Sequence, residues 1–297
     1  MKSSTKDRMI DILLIAMMIL PLVGAMVLNI LTKPPSDGIT VTGAQIYFTI
    51  DLPLQPLYIT EAQVVSLAVV IALTGLCLFL TRKLSVRPVA KRQLIAEMIV
   101  ETVDKLVEGN MGQRFMSFAP FVTAILGLSA LSSLSSLLGL FPPTSDINIV
   151  AGWAILVFIL ITYYKLKGGV LPYLKGFLEP IPVMLPMNIL SEFSTPISMS
   201  FRHYGNVLSG SVIAVLIAAA LSRLSSLVLG WLPGFLGDIP LLRLGIPAVL
   251  SMYFDIFSGC MQAFIFAMLT MLNISGAFPE ELYEKRQAKK RAKIAAK

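Results

Sequence analysis

Two charged residues of this 297-residue chain lie deep inside apolar segments, and the first of them is Arg202. An arginine at the centre of a membrane helix costs about 2.5 to 3.5 kcal/mol, so its side chain must face protein, water or a partner charge. Its guanidinium stays protonated and favours the ionised form of a nearby carboxyl group. The same helical face carries three small residues, which complete spacings of four, three and four: Ser198, Gly205 and Ser209. Small residues let another backbone come close. This face therefore suits the approach of another chain or, alternatively, plain helix packing with Arg202 bonded to a structural carboxylate.

The second buried charge, Asp255, lies in the last apolar segment within a row of polar residues. On a helix it shares one face with three others, again at spacings of four, three and four: Ser251, Ser258 and Gln262. A polar face inside a membrane must meet water or hydrogen-bonding partners and not lipid. The row is therefore one wall of an ion path or, alternatively, a hydrogen-bonded contact between helices.

Other candidate residues are open to two interpretations each. Glu192 is an entrance carboxylate or a solvated charge at a helix end, and Arg223 snorkels to the interface or is solvated. His203 is the single histidine; it titrates near neutral pH or packs as a hydrogen-bonded residue. Cys77 and Cys260 lie in apolar stretches and are interpreted as packing residues. The sequence contains no P-loop, metal-ligand cluster or nucleophile–base pair, so we expect no cofactor, no metal and no covalent chemistry by this chain alone.

Composition places the whole chain in a membrane. Only 14% of residues are charged and 56% are hydrophobic, whereas soluble domains carry about 25% charged residues. This excludes a soluble enzyme, a disordered chain and a secreted disulfide scaffold. The apolar runs are much longer than the ~10-residue segments of β-barrels, which predicts helical spans. The net charge is +7. The basic residues of the chain cluster at the ends of apolar segments, without aromatic residues that could stack on bases. The excess of positive charge therefore indicates membrane topology and not nucleic-acid binding.

Runs of about 20 apolar residues predict the membrane spans. They cover residues 10–31, 62–81, 115–141, 147–164, 180–231 and 246–274. Basic residues precede the first span, follow the second and fourth, and fill the tail. By the positive-inside rule these ends and both termini face the cytoplasm. The polar segment 32–60 with Glu61, the turn after Phe141 and the segment 231–245 are then external loops.

Three of these stretches have unusual lengths or charges. The first span is a retained helix or a signal peptide; its long apolar run without a clean cleavage site favours retention.

Segment 89–111 interleaves charges with apolar residues at helical spacing. It predicts an amphipathic helix on the cytoplasmic membrane face or against a partner, with an ordinary surface helix as the alternative. Region 180–231 would form a helix of roughly 75 Å, against a hydrocarbon core of about 30 Å. It must therefore tilt, bend or break, and three prolines are candidate bend points: Pro182, Pro186 and Pro196.

Three motifs, in the right order, resemble the a subunit of F-type ATP synthases, the stator of their membrane motor. The family's signature around its essential arginine is similar to residues 186–202, PMNILSEFSTPISMSFR, followed by Gly205 and Asn206. Its last helix is similar to residues 254–266, FDIFSGCMQAFIF, and its outer hairpin turn to residues 142–148, PPTSDIN. The resemblance covers about residues 57–277.

The chain departs from the family pattern at a few positions. His203 stands where the family commonly has leucine, and Ser211 stands where it often has an acidic residue or histidine. A second position, seven before the family's glutamine, is commonly acidic or histidine, and Asp255 fills it. The resemblance thus leaves Asp255 to carry the acidic role alone. The span before Leu57 is an addition to the shorter family pattern.

The resemblance implies a mechanism in which the long helices press against a rotating ring of c subunits, each with one membrane-embedded carboxyl group. Two offset aqueous half-channels reach the ring from opposite sides, and Arg202 stands between them. The outer path would use Asp255, Gln262, Asn206 and Ser211, with Asp146 near its mouth. The cytoplasmic path would use Glu192 and Asn188, and the small residues facing the rotor would be Ser198, Gly205 and Ser209. The implied partners are the c-ring, the b subunits of the peripheral stalk and the lipid bilayer.

The expected fold class is an all-α integral membrane protein, with transmembrane helices, one cytoplasmic-side amphipathic helix and two long tilted helices. Residues 1–56 form an extra membrane span, a possible signal anchor, with an external loop; 57–279 form the a-subunit membrane domain, and 280–297 a basic cytoplasmic tail. The expected function is ion translocation in the cell membrane of a bacterium, without catalysis by this chain itself. The alternatives are a secondary ion-coupled transporter with an intramembrane Arg–Asp pair, and a structural scaffold of a membrane complex.

Overall fold

The chain folds into a bundle of long helices. In a computed structural model of the protein, the described residues are 5–32, 43–51, 53, 55–86, 90–178, 181–229, 249, 252–281, 283–285 and 288. Within them, six helical segments are long and apolar enough to cross a membrane: Thr5–Thr32, Glu61–Thr81, Gln113–Leu138, Ile147–Leu166, Pro182–Val228 and Tyr253–Gly276. The expected class, an all-α integral membrane protein, is confirmed.

The first two helices pack side by side and are joined through a small β-hairpin. Helix α1 (Thr5–Thr32) lies along helix α2 (Glu61–Thr81). Between them, β1 (Ile46–Ile50) pairs with β2 (Leu57–Thr60) in antiparallel register, with Thr49 opposite Tyr58. The sequence prediction of a loop over 32–60 is thus wrong for these two strands, whose β-branched and aromatic residues suit a pleated surface.

Glu61 also differs from its expected place in an external loop. It is the first residue of α2, where Thr60 is the N-cap and the Thr60 amide donates to Gln63 Oε1 at 3.4 Å. Its side chain is buried, with 4% of its surface exposed. Sequence reasoning placed Glu61 outside because a carboxylate next to a polar segment is usually solvated; here the cap and the neighbouring hairpin enclose it.

The amphipathic segment forms helix α3 (Lys91–Met111), two residues shorter than expected. Its second half buries Val103, Val107 and Met111 in the main apolar core. Its first half leaves Leu94 and Met98 about 60% exposed. The helix is therefore anchored at one end and offers an apolar face at the other.

The next two long helices run in opposite directions, as predicted, but they pack mainly against other helices and do not form a packed hairpin with each other. Helix α4 (Ala119–Leu134) follows a 3₁₀ turn at Gln113–Phe118, and α5 (Ile147–Leu166) runs back in the opposite direction. Helix α4 packs mainly against the last helix, Gly259–Gly276, and α5 packs mainly against the long helix Leu185–Leu229. Short 3₁₀ turns at Ser135–Leu138 and Pro143–Ser145 connect α4 to α5. A short helix α6 (Val170–Gly176) comes next.

The long region forms helix α7 (Leu185–Leu229), which has 45 residues. At 1.5 Å per residue it is about 68 Å long, far beyond the hydrocarbon thickness. It continues through Pro196, so this proline does not break it. Pro186 lies in the first turn, where no amide donor is needed, and Pro182 begins the preceding 3₁₀ turn, Pro182–Met184. The breaks that these prolines suggested are absent from the described part of the region.

The last described span combines a π-helical turn, Tyr253–Ser258, with helix α8 (Gly259–Gly276). Helix α8 packs against α4, α5 and α7 and supplies four fully buried side chains to the core: Phe266, Ala267, Met271 and Ile274. The predicted loop 231–245, Ser251 and most of the tail 280–297 lie outside the described residues.

The bundle has two distinct ends. At the first, here called the basic end, Arg82 pairs with Asp7 and Asp11 at 3.1 and 2.7 Å, and Arg114 pairs with Glu280 at 3.1 Å. The starts of α1, α4 and α7 and the ends of α2, α5 and α8 meet there. The opposite end, here called the turn end, holds the β-hairpin and residues 139–146 between α4 and α5.

Candidate functional site

Arg202 lies on the open face of α7. It is exposed, and its guanidinium has no ion pair or hydrogen bond with any residue that the structure describes. Ser198 and Ser209 on the same face are also exposed, and nothing lies within 4 Å of the position that a Cβ would take at Gly205. Among the residues that the structure describes, the small residues predicted beside Arg202 therefore border open space and not another helix.

The next residue, His203, points the opposite way and is completely buried. Its Nε2 lies 3.4 Å from Ser129 Oγ of α4. Its ring packs edge-on against Trp153 of α5 and Phe266 of α8, with centroids 6.1 and 5.5 Å away. Of the two interpretations of this histidine, the contacts favour the packing residue, which joins four helices.

A polar cluster connects α7 to α8 one turn beyond Arg202. The Asn206 side-chain amide donates to Gln262 Oε1 at 3.2 Å, and Ser258 Oγ donates to Asn206 Oδ1 at 3.1 Å. Gln262 is buried, with 2% of its surface exposed. Hydrogen bonding explains how these groups tolerate a membrane interior. The structure brings together three residues that the sequence analysis assigned to two separate motifs.

This cluster lies at the base of a cavity of about 620 Å³ that extends to the turn end. Asp255 and Ser258 contribute from the π-helical turn, a feature that often occurs at functional sites. Ser211 lines it from α7, and the turn residues Pro142 and Ser145 form its outer part. Asp146 does not line the cavity; it caps α5 by accepting from the Asn148 amide at 2.9 Å, directly beside Ser145. Sequence reasoning missed Tyr204, which lines this cavity only two residues after Arg202.

A second cavity, of about 400 Å³, opens at the basic end. Glu192 and Asn188, which the sequence analysis assigned to one path, both line it. Glu192 is held by Lys165, whose Nζ donates to both carboxylate oxygens at 2.7 and 2.6 Å. Asn188 donates to the Phe177 carbonyl at 2.9 Å. The role of Lys165 was missed, because the sequence shows it only as a basic residue at the end of a span.

Tyr173 of α6 completes the surroundings of Glu192. Burial is the main cause that raises the pKa of Tyr173, and the Glu192 charge and a hydrogen bond to its carboxylate raise it further. The phenol therefore stays protonated at neutral pH and can donate to Glu192. The Glu192 carboxylate thus lies between the Lys165 ammonium group and the Tyr173 phenol, at the wall of the basic-end cavity.

The two cavities approach Arg202 from opposite ends of the bundle. Along α7, Glu192 lies ten residues before Arg202 and Asn206 lies four residues after it, which correspond to about 15 Å and 6 Å of helix rise. Along α7, Arg202 therefore lies between two cavities that do not share a lining residue, and it lines neither of them. A fixed positive charge at this point opposes direct passage of a cation from one cavity to the other.

Comparisons with known proteins agree on one family. A sequence model of the family described as ATP synthase A chain matches residues 63–275. ATP synthase subunit a of Bacillus subtilis (strain 168) is 34% identical over 241 residues, which cover 77% of this chain and 96% of that protein. ATP synthase subunit a 1 of Hahella chejuensis is 28% identical over 77% of this chain and 88% of its own length. A sodium-ion-specific ATP synthase subunit a of Propionigenium modestum is 36% identical over 48% of this chain and 42% of its own length. The chain therefore belongs to the ATP synthase subunit a family and is a bacterial, multi-pass, non-catalytic subunit that translocates ions in the Fo stator.

Proposed function

We propose that Arg202 is the ion-translocation arginine, and that the two cavities are the ends of two offset half-channels to a ring of c subunits. The observation that carries the proposal is the position of Arg202 on an exposed face, without a partner among the described residues, between cavities from opposite ends. A membrane-buried charge in this position requires a partner from another chain.

The proposed step is the release of an ion from a ring carboxyl group. A buried carboxyl prefers its neutral form, and a nearby guanidinium favours the anion. A ring carboxyl that arrives at Arg202 therefore releases its ion into one half-channel, and it must bind an ion from the other before it returns to the lipid. One charge that crosses 100 mV yields about 2.3 kcal/mol, so several ring steps drive the synthesis of one ATP.

The proposed outer path is the turn-end cavity. Asp255, Ser211 and Asn206 line it, and Gln262 lies behind Asn206, from which it accepts a hydrogen bond. Asp146 lies next to the wall residue Ser145 and adds negative charge near the mouth. A continuous set of oxygen and amide groups favours the entry of a cation or of ordered water.

The proposed cytoplasmic path is the basic-end cavity, with Glu192 and Asn188 in its wall. The positive-inside rule supports a cytoplasmic location for this end, because Arg82, Arg92 and Arg114 lie there. The termini would then both be cytoplasmic. The small residues Ser198, Gly205 and Ser209 would allow the ring to pass closely, and the b subunits and lipid would cover the remaining exposed faces.

The test is Arg202→Ala in the complete ATP synthase in membrane vesicles. We expect coupled ATP synthesis to be abolished and passive ion flow through Fo to increase, because the charge barrier between the cavities is removed. Arg223→Ala is the matched control, since Arg223 is also exposed on α7. Coupled synthesis at the normal rate in Arg202→Ala would contradict the proposal. The reconstituted isolated chain should transport no ion, whereas a secondary transporter would.

A further inference from the structure

The turn that borders the turn-end cavity is held from one side by the N-terminal part of the chain, most of which lies outside the region matched by the family model. We propose that α1 and the β-hairpin form a brace that fixes the outer turn, residues 139–142, and thereby sets the width of the cavity mouth. Asn29 and Glu61 are its positioning residues.

The first contact of the brace is a hydrogen bond from α1 to the turn. Asn29 Nδ2 donates to the Gly139 carbonyl at 3.2 Å, across 110 residues of sequence. Gly139 has a φ of +73°, a left-handed conformation that glycine adopts without strain. It ends the 3₁₀ turn after α4, so this bond fixes the point where the chain leaves α4.

The second contact comes from Glu61 at the start of α2. Its carboxylate Oε1 accepts from the Phe141 amide at 3.3 Å, and its own amide donates to the Gln45 carbonyl at 2.8 Å. Through its buried carboxylate and its backbone amide together, Glu61 thus joins the outer turn to the segment that leads into β1. Phe141 is a wall residue of the cavity, and Gly43, two residues before Gln45, is another.

An apolar cluster supports these two bonds. Leu140, 3% exposed, packs with Ala25 of α1 and with Val65 and Val69 of α2. Three consecutive turn residues are therefore held from this side: residue 139 by α1, residue 140 by α1 and α2, and residue 141 by the first residue of α2, directly after the β-hairpin.

Helix α1 is itself fixed along its length, which a brace requires. At the basic end, Asp7 and Asp11 form ion pairs with Arg82, and Asp11 also pairs with Arg92 at 3.4 Å. In the middle, a Cβ at Gly75 of α2 would lie 3.1 Å from Met18 Cγ of α1, so the two helices approach closely there. The brace can act only if α1 is retained in the assembled protein, where these contacts hold it in place.

The experiment measures the accessibility of the cavity mouth in the whole ATP synthase. Cys77 and Cys260 are replaced by Ala, Ser145→Cys is introduced as the reporter, and its reaction rate with a membrane-impermeant maleimide is measured from each side of the vesicles. We expect Asn29→Leu and Glu61→Leu to increase the rate from the turn-end side by about two- to tenfold, the range set by one net hydrogen bond.

Matched variants separate the brace from other effects. Glu61→Gln keeps an oxygen acceptor for the Phe141 amide, and Leu31→Ala alters a side chain that is 77% exposed on the same end of α1. Both should react like the parent. Gly75→Leu should increase the rate as well, by displacing α1 from α2, whereas Gly24→Leu, which has open space around it, should not.

The proposal is overturned if Asn29→Leu and Glu61→Leu react at the parental rate, if Glu61→Gln reacts as fast as Glu61→Leu, or if the mature chain lacks α1 by mass spectrometry. The proposal rests on the proposed function only where it treats the turn-end cavity as an ion path. The labelling rate reports the position of the turn whether or not ions pass, so its failure is distinct from a failure of the Arg202 test.

Discussion

The two faces of α7 differ completely at neighbouring residues. Arg202 is exposed and has no partner among the described residues, whereas His203 is buried among three other helices and contacts Ser129, Trp153 and Phe266. Both side chains can carry a positive charge, but only one lies where another chain can reach it. The comparison shows that one face of this helix packs within the subunit, whereas the other is open in the described part of the chain and is the face that we propose meets the ring.

Among changes that keep Arg202, the largest effect is expected from filling the open face. Gly205→Leu adds a branched side chain where a Cβ now meets nothing within 4 Å. Contact with the rotor would then be overpacked, which typically costs about 1 to 3 kcal/mol, and we expect ATP synthesis to fall by about tenfold or more. ATP synthesis in vesicles measures this, with subunit levels determined by immunoblot. Gly24→Leu on α1 is the control, and normal synthesis in Gly205→Leu would show that the open face does not meet the rotor.

A smaller effect is expected from changing Asn206, which lies between the open face and the packed face of α7. Asn206→Leu keeps the approximate volume but removes the bonds to Gln262 and Ser258. It leaves the Gln262 oxygen buried without its donor, at a cost of about 1 to 3 kcal/mol. We expect slower ion pumping and a lower melting temperature together. Ser209→Ala should change neither, because its hydroxyl donates only to the Asn206 carbonyl in its own helix. An Asn206→Leu protein with full pumping would remove this residue from the path.

The packed face should respond in stability and not in coupling. His203→Ala leaves a cavity among Trp153, Phe266 and Ser129, and we expect the free energy of unfolding to fall by about 2 to 4 kcal/mol. His203→Leu refills much of that space, so the loss should be about 1 kcal/mol or less. Thermal unfolding of the purified complex measures both. The rate of ion pumping per assembled complex should be unchanged in His203→Leu; a strongly reduced rate in a stable complex would place this histidine in the ion path.

The smallest effect is expected from the hydroxyl groups on the open face. Ser198 is exposed, and Ser198→Ala removes an oxygen without adding volume. Stability should change by less than about 0.5 kcal/mol, and ATP synthesis should stay at the parental level. A strong defect would mean that the open face contributes specific hydrogen bonds and not only space.

The helical spans and the polar face of the last span could be predicted because both depend on local patterns. The length of an apolar run fixes whether it can span, and the cost of an intramembrane charge marks Arg202 and Asp255 as residues that need partners. The spacing of Ser258 and Gln262 predicted a shared polar face, and both contact Asn206.

Contacts between distant segments could not be predicted in this way. The Lys165–Glu192 pair joins residues 27 positions apart, and the Asn29–Gly139 bond joins residues 110 positions apart. The sequence shows Lys165 and Glu192 as ordinary helix-end charges, and only the packing of α5 against α7 brings them together. Glu61 was assigned to a loop for the same reason: its burial depends on a hairpin and a turn that contact it from elsewhere in the chain.

The most direct test of the central claim is a cryo-EM map of the assembled complex at a resolution that shows side chains. The account requires the Arg202 guanidinium to face a carboxyl group of the c-ring, with the Asn206–Gln262 cluster and the turn-end cavity beside it. An Arg202 side chain that points to lipid, or bonds to its own chain away from the ring, would contradict the account.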